Sequence, residues 1–358
     1  MNLPDEQSRY SRQMRLPAIG NQGQERLAQS RVLLVGMGAL GACSAELLAR
    51  AGIGHLRLVD RDIVELSNLQ RQLLYSEDDA RQGLPKAICA GQRLAQINSQ
   101  ISLEPIVADV TFQNIEQLVD QIDLIVDGTD NFETRFLIND ISVARGIPWI
   151  YGGCLACDGQ TMNILPGDTA CLSCLMPDGP PTSGELPTCD TAGVLGAAVT
   201  LVASLQVVEA IKFLSGNATA MSRELRAVSL WDNRMRSLII ERRARPVLES
   251  GQHHEKCDVC TTCVTRQFPW LNGQLGSEST ILCGRNAVQI SPDRNQIVDF
   301  EMLSGKLTGL GEIQQTPYFL RVRSGTLEMT LFPDGRAIVS GTDQIAIAKS
   351  LFARLVGH

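Results

Sequence analysis

Apolar residues in this chain fall into short dense runs separated by helical patterns, and that alternation sets the expected architecture. Arg31–Gly36 (R-V-L-L-V-G), His55–Val59 and Ile122–Val126 are nearly continuous apolar runs, the mark of strands covered on both faces. Ile101–Val107, Ile147–Tyr151 and Ala227–Trp231 read as further strands. Between them, Ala42–Ala51, Lys86–Ile97, Thr111–Val119 and Arg135–Arg145 space their apolar residues as helices do. Ala198–Leu214 is a helix apolar nearly all round, which puts it in the core or at a subunit interface, with Glu209 and Lys212 at its edge. Strands alternating with helices predict an α/β fold, a doubly wound and mostly parallel sheet, over residues 1–265. Residues 275–358 change character. Thr280–Ile290, F-L-R-V-R and L-E-M-T-L-F read as strands, Phe332–Gly335 as a hairpin turn and Asp343–Leu355 as a closing helix, together a small C-terminal α+β domain.

The first strand leads into G-M-G-A-L-G, with Gly36, Gly38 and Gly41, then a helix, then a strand delivering Asp60. This is the order of a Rossmann-like nucleotide-binding βαβ unit. Glycines permit a tight turn and close backbone approach, the helix N-terminus faces phosphate, and the carboxylate accepts from a ribose hydroxyl. Next come D-R-D-I-V-E-L-S-N-L-Q-R-Q and G-L-P-K, which place Asn68, Arg71, Gln72 and Lys86 just after that unit. Two fixed cations suit an enzyme that must neutralise a triphosphate under attack better than a nicotinamide-dependent dehydrogenase. The fourth strand ends in D-G-T-D-N (Asp127–Asn131), at the edge where open α/β sheets place ligands. Asp130 there either carries Mg²⁺ or caps the following helix, and Asp127 has either job.

Composition narrows the class. The chain has 358 residues, 44% of them hydrophobic, and a net charge of −7, so no basic field argues for nucleic acid as the main partner. M-N-L-P-D-E-Q-S has no apolar signal-peptide core. No apolar run is expected to reach the roughly 20 residues that a bilayer requires, and the expected location is cytoplasmic.

Eleven cysteines, several in C-x-x-C pairs, favour metal binding and catalytic thiols over a secreted disulfide framework. Cys171 and Cys174 form one knuckle and Cys257 and Cys260 a second, the pattern of a structural Cys₄ zinc site. Cys263 extends the second to C-x-x-C-x-x-C, leaving open which two of the three bind, with His253 and His254 as alternatives. A Pro- and Gly-dense stretch, Pro177–Pro187, delivers Cys189 just before the apolar helix. A thiol there gains nucleophilic character from the helix dipole, whereas neighbouring Asp190 opposes it. Cys154 and Cys157 read as small side chains at a strand end, with a redox or metal role as the alternative.

From about Arg9 to Arg242 these motifs resemble the ThiF/MoeB/HesA group of ubiquitin-activating-enzyme-like adenylyltransferases. The resemblance implies an enzyme that uses ATP and Mg²⁺ to adenylate the C-terminal glycine of a ubiquitin-like sulfur-carrier protein ending in Gly-Gly, with a sulfur-donor protein acting afterwards. It implies phosphate contacts from Asn68, Arg71 and Lys86, Mg²⁺ on Asp130, zinc on the cysteine knuckles and a covalent role for Cys189. In R-Y-S-R-Q, otherwise a solvated basic helix face, it makes Arg12 an arginine that reaches the partner subunit's ATP site in a homodimer. Rival readings are a non-catalytic zinc-stabilised docking scaffold, a nicotinamide-dependent oxidoreductase, and an enzyme that activates a small carboxylate on tRNA.

Overall fold

A computed structural model describes residues 6–180, 189–243, 259–275, 279–282, 286–290, 298–307 and 311–356. The chain forms two compact units, Met1–Leu186 with Val194–Leu275, and Pro187–Gly193 with Gly276–His358.

In the first unit α1 (Glu6–Met14) and α2 (Gly20–Gln29) precede β1 (Arg31–Val35), α3 (Ala39–Ala51) and β2 (His55–Asp60). There follow α4 (Glu77–Gln82), α5 (Lys86–Ile97), β3 (Ser102–Val107), α6 (Ile115–Leu118), β4 (Leu124–Asp127), α7 (Phe132–Arg145) and β5 (Trp149–Leu155). Next are β6 (Asp158–Ile164), α8 (Leu172–Leu175), α9 (Cys189–Ala192, grouped with the second unit), α10 (Gly196–Leu214), β7 (Glu224–Ser229) and β8 (Arg234–Ile239). The eight strands lie in the order β3-β2-β1-β4-β5-β6-β7-β8. Pairing is parallel from β3 to β5 and antiparallel from β5 to β8.

The unbroken apolar runs are explained by burial on both faces: Val32, Leu33 and Leu34 are all fully buried, as are Leu124, Ile125 and Val126. Truncating one of them, such as Leu34 to Ala, removes about 2–5 kcal/mol of stability. Because β1 has β2 on one side and β4 on the other, the chain reverses its winding direction there, and a crevice opens at the carboxyl ends of β1 and β4.

Two expectations are corrected by α10. It is 19 residues long and apolar enough by composition to cross a membrane, a length the sequence was not expected to reach. Its place against α3, β5 and β6 accounts for that composition. Glu209 is also not at the helix edge. It is buried, accepts from Asn163 Nδ2 and Ser222 N, and pairs with Lys212.

In the second unit β9 (Ser279–Leu282), β10 (Ala287–Ile290), β11 (Glu312–Gln315), β12 (Leu320–Ser324), β13 (Leu327–Leu331) and β14 (Ala337–Ser340) form an antiparallel sheet ordered β11-β12-β13-β14-β10-β9. The Phe332–Gly335 turn joins β13 to β14 as a hairpin. Helices α11 (Phe300–Leu307) and α12 (Ile345–Val356) share a core with Val322, Met329, Leu331 and Val339.

Candidate nucleotide site and thiol cluster

The glycine loop closes the crevice from below. Gly36 has φ +86°, and a Cβ on it would come within 2.7 Å of Gly128 O. A Cβ on Gly41 would lie 1.8 Å from Gly36 O, and one on Gly128 2.4 Å from the same oxygen. Three backbones therefore touch where β1 and β4 end, and Gly128, which sequence reasoning passed over, belongs to the set. Gly38 differs: a Cβ there would meet nothing nearer than 3.9 Å. The space above it suits a ligand that approaches the backbone. Gln72, buried beside it, has its amide oxygen without a partner.

Asp60, at the end of β2, is buried and accepts from Met37 N and Asp62 N, each at 2.6 Å. Burial raises its pKa, and the Lys86 charge opposes that rise. Tyr75 donates to Met37 O at 2.6 Å, so Met37 at the centre of the loop is held through both its N–H and its C=O. Asn68 is buried and accepts from Glu65 N, which fixes the turn carrying Arg71. The Arg71 guanidinium donates to Ser67 O at 2.8 Å. Lys86, the first residue of α5, is 3% exposed and its Nζ lies 3.2 Å from Asp62 Oδ2. Arg61 beside it pairs with Asp109 at 3.1 Å. Asp62, Arg61 and Asp109 were not singled out from the sequence.

At the end of β4 the two aspartates divide their work. Asp127 is wholly buried and saturated. It accepts from Arg135 Nε at 3.0 Å and from the N and Oγ1 of Thr129, and Gly152 N lies 3.4 Å away. It is a scaffold residue. Asn131, and not Asp130, caps α7, accepting from Glu133 N at 2.9 Å, which leaves Asp130 exposed at the mouth of the crevice. Arg135 also donates to Thr129 O and Gly152 O, between the rings of Phe132 and Tyr151. Gln206 of α10 reaches in from below, donating to Asp127 O and Ile150 O. Neither Arg135 nor Gln206 was anticipated. Arg135 lies among other polar residues of α7, so no local signal set it apart.

Arg12 stands elsewhere. Helix α1 is pinned to the C-terminal ends of α3 and α5: Gln13 donates to Ala51 O, Arg9 to Ile97 O, and Asn98 to Tyr10 Oη. The glycine loop is at the opposite end of the 13-residue α3, about 20 Å away. Exposed Arg12 therefore does not serve the site of its own chain.

The cysteines resolve into one cluster. Cys171, Cys174, Cys260 and Cys263 are buried, with their sulfurs all within 4.8 Å of one another. Cys171 lies 3.9 Å from Cys174 and 3.6 Å from Cys260, and Cys174 lies 3.5 Å from Cys263. Four thiolates around a tetrahedral zinc stand about 3.8 Å apart, so the donor set fits that ion. The pairing of Cys257 with Cys260 is replaced by Cys260 with Cys263. Three cysteines at equal spacing offer two overlapping frames, and the fold selects the second. Cys257, His253 and His254 lie outside the described residues. Mutual hydrogen bonds split the four clustered thiols, drawing Cys174 strongly down and Cys260 to about 6 while pushing Cys171 and Cys263 up. Binding a metal would release the remaining thiol protons. On α7, Asn139 accepts from Leu172 N and donates to Ser173, while Asp140 accepts from Trp270 N, so one helix holds both knuckle segments.

Cys189 does not open the long apolar helix. It begins α9, a single turn ended at Gly193 with φ +75°, and α10 starts only at Gly196. The dipole argument for its thiol weakens accordingly. Its side chain lies outside the described residues. Cys154 near the end of β5 and Cys157 in the turn to β6 are not joined by a disulfide, and among the described residues neither belongs to a metal-type cluster.

A switch-point crevice with a glycine loop, a ribose-type carboxylate, cations and an exposed aspartate defines a nucleotide-binding α/β protein, here with a four-cysteine cluster in the same unit. Comparison with known proteins takes this further. Residues 10–249 match the model of the ThiF family, and the chain belongs to that family. It is 44% identical over 350 residues, 98% of this chain and 99% of the relative, to the sulfur carrier protein ThiS adenylyltransferase of Bacillus subtilis. It is 38% identical to the sulfur carrier protein adenylyltransferase of Thermus thermophilus over 67% of this chain and 90% of that one. Among solved structures, MccB from E. coli superposes with TM-score 0.60 at 24% identity, over 71% of this chain and 77% of that one, a likeness of fold.

Proposed function

We propose that this chain is an ATP-dependent adenylyltransferase that activates the C-terminal glycine carboxylate of a ubiquitin-like sulfur-carrier protein. One observation carries the reading. The glycine loop, Asp60, Lys86 and Asp130 meet at the ends of adjacent strands, in a chain that aligns over 98% of its length with a ThiS adenylyltransferase. That alignment extends through the second unit and favours a ThiS-type carrier.

The carrier carboxylate attacks the α-phosphorus of ATP, the bond to the bridging oxygen breaks, and pyrophosphate leaves with that oxygen and its electron pair. The attacking group is already ionised at neutral pH, so no general base is required, and catalysis is positioning and charge stabilisation. The backbone at Gly36–Gly38 approaches the nucleotide, Asp60 holds the ribose, and Gln72 offers its orphan acceptor. Lys86, Arg71 and Asn68 meet the phosphates. Asp130 would be the carboxylate to hold Mg²⁺, which would supply charge neutralisation at the phosphates, since Asp127 is saturated by Arg135, Thr129 and Gly152.

The same reading includes a homodimer, in which Arg12 enters the partner's crevice. Its distance from its own site supports this, as does the outward face of α10, where Val208 is exposed and Leu201 and Leu205 are half-buried. The Cys₄ cluster holds structural zinc, a sulfur-donor protein acts on the adenylate, and the setting is the reducing cytoplasm. Cys189 then acts after adenylation.

The test is intact-mass analysis of Gly-Gly-ending carriers incubated with the protein, ATP and Mg²⁺. An added AMP on a ThiS-type carrier is expected. ATP binding without an adduct or pyrophosphate on any carrier would instead mean a docking scaffold, and binding of NAD(H) in place of ATP an oxidoreductase.

A further inference from the structure

Lys86 occupies a position that is electrostatically costly twice over. It is 3% exposed, and it is the first residue of α5, where the positive end of the helix dipole repels an ammonium group. A buried lysine without compensation loses its proton readily, and a neutral Lys86 contributes little to holding a triphosphate. The compensation comes from Asp62. Its Oδ2 lies 3.2 Å from Lys86 Nζ, and its main-chain oxygen accepts from Lys86 N at 2.9 Å. One residue therefore fixes both the start of the helix and its leading charge. Asp62 is itself held, because its N–H donates to Asp60 Oδ1, and Asp60 accepts from the glycine loop at Met37. Loop, ribose carboxylate and lysine are thus linked through two residues.

We infer that Asp62 is a positioning residue of the nucleotide site, holding Lys86 charged and in register with the glycine loop. The inference rests on the nucleotide reading above and deepens it. The other charged groups around this cluster are Asp60 and Arg61, with Asp109 and Asp130 beyond. Tyr75, Cys89 and Asp79 lie on the far side of Asp60. Burial first, then neighbouring carboxylates, holds Tyr75 well above its ordinary value and Cys89 at about 12. Neither titrates between pH 6.5 and 9, and the Lys86→Arg background separates Lys86 from Asp60, whose pKa burial also raises.

The test is the affinity of the full chain for Mg·ATP by titration calorimetry at pH 6.5 and pH 9, each variant being compared with the unaltered protein at the same pH. Asp62→Asn keeps shape and backbone contacts but removes the charge. Its loss of affinity is expected to be about fivefold greater at pH 9 than at pH 6.5, because Lys86 then sheds its proton at lower pH. Asp62→Glu, which restores a carboxylate, is expected to show no such difference. Asp62→Asn combined with Lys86→Arg removes the extra alkaline loss, since arginine stays protonated. Equal losses at both pH values, or none, would overturn the inference and leave Asp62 a structural residue. If the unaltered protein binds no ATP at either pH, the nucleotide reading fails, and this inference with it.

Discussion

Replacing Arg135 with Met should destabilise the first unit more than almost any other single polar change. The Arg135 side chain is 7% exposed and its Nε stands 3.0 Å from the carboxylate of Asp127, which is 0% exposed. Met fills the stem's volume but leaves Asp127 buried with only the N–H and O–H donors of Thr129 and the long contact to Gly152. Two carbonyls, Thr129 O and Gly152 O, also lose their donor. Breaking a buried ion pair from one side costs about 3–5 kcal/mol. For a unit of this size, at roughly 2–4 °C per kcal/mol, that corresponds to a fall in melting temperature of about 10 °C. Thermal melts by circular dichroism at pH 7.5 measure it. The double variant Asp127→Asn, Arg135→Met should recover much of the loss, since neither charge then remains unpaired. A fall of under about 2 °C for the single variant, or a double variant no better than the single, would refute the scaffold role assigned to this pair.

Other outcomes follow from the geometry. Cys263→Ser should reduce bound zinc from about one per chain and lower thermal stability, whereas a full metal complement would return the ligand role to Cys257. Mixing Arg12→Ala and Lys86→Ala subunits, each inactive alone, should restore about a quarter of the adenylation activity, because half the dimers are mixed and each has one intact site; no recovery would mean that Arg12 acts in its own chain or not at all. His55 is held below its ordinary pKa, by burial first, against the opposing pull of Glu104. Its contribution to stability is full above about pH 6.5 and shrinks as pH falls through its folded value, so His55→Gln should flatten the stability loss between pH 7 and 5 in denaturant titrations.

The parallel half of the sheet was legible because its strands are buried on both faces, which leaves unbroken apolar runs. The antiparallel half carried less signal. In β8 all six residues are exposed, so no periodicity marks R-M-R-S-L-I as a strand, and β6 is as polar as a loop until its last residues. Charge partners were the hardest to find. Asp62 sits 24 positions from Lys86 and nothing local joins them, while Glu209 looked like an edge residue because its partners, Asn163 and Ser222, come from other elements. At the mouth of the crevice the capping role open to Asp130 goes to its neighbour: asparagine caps as well as aspartate does, and Asn131 stands one residue nearer the helix.

The four glycines of the crevice are not equivalent, and the difference separates two kinds of damage. At Gly36, Gly41 and Gly128 a methyl group meets main-chain atoms that have nowhere to go, so alanine there wedges β1 and β4 apart and the defect belongs to the protein. At Gly38 the nearest atom is 3.9 Å away. Alanine at that position is a plug in an intact vessel: the chain folds and melts as before, and whatever it ceases to hold was resting on that spot.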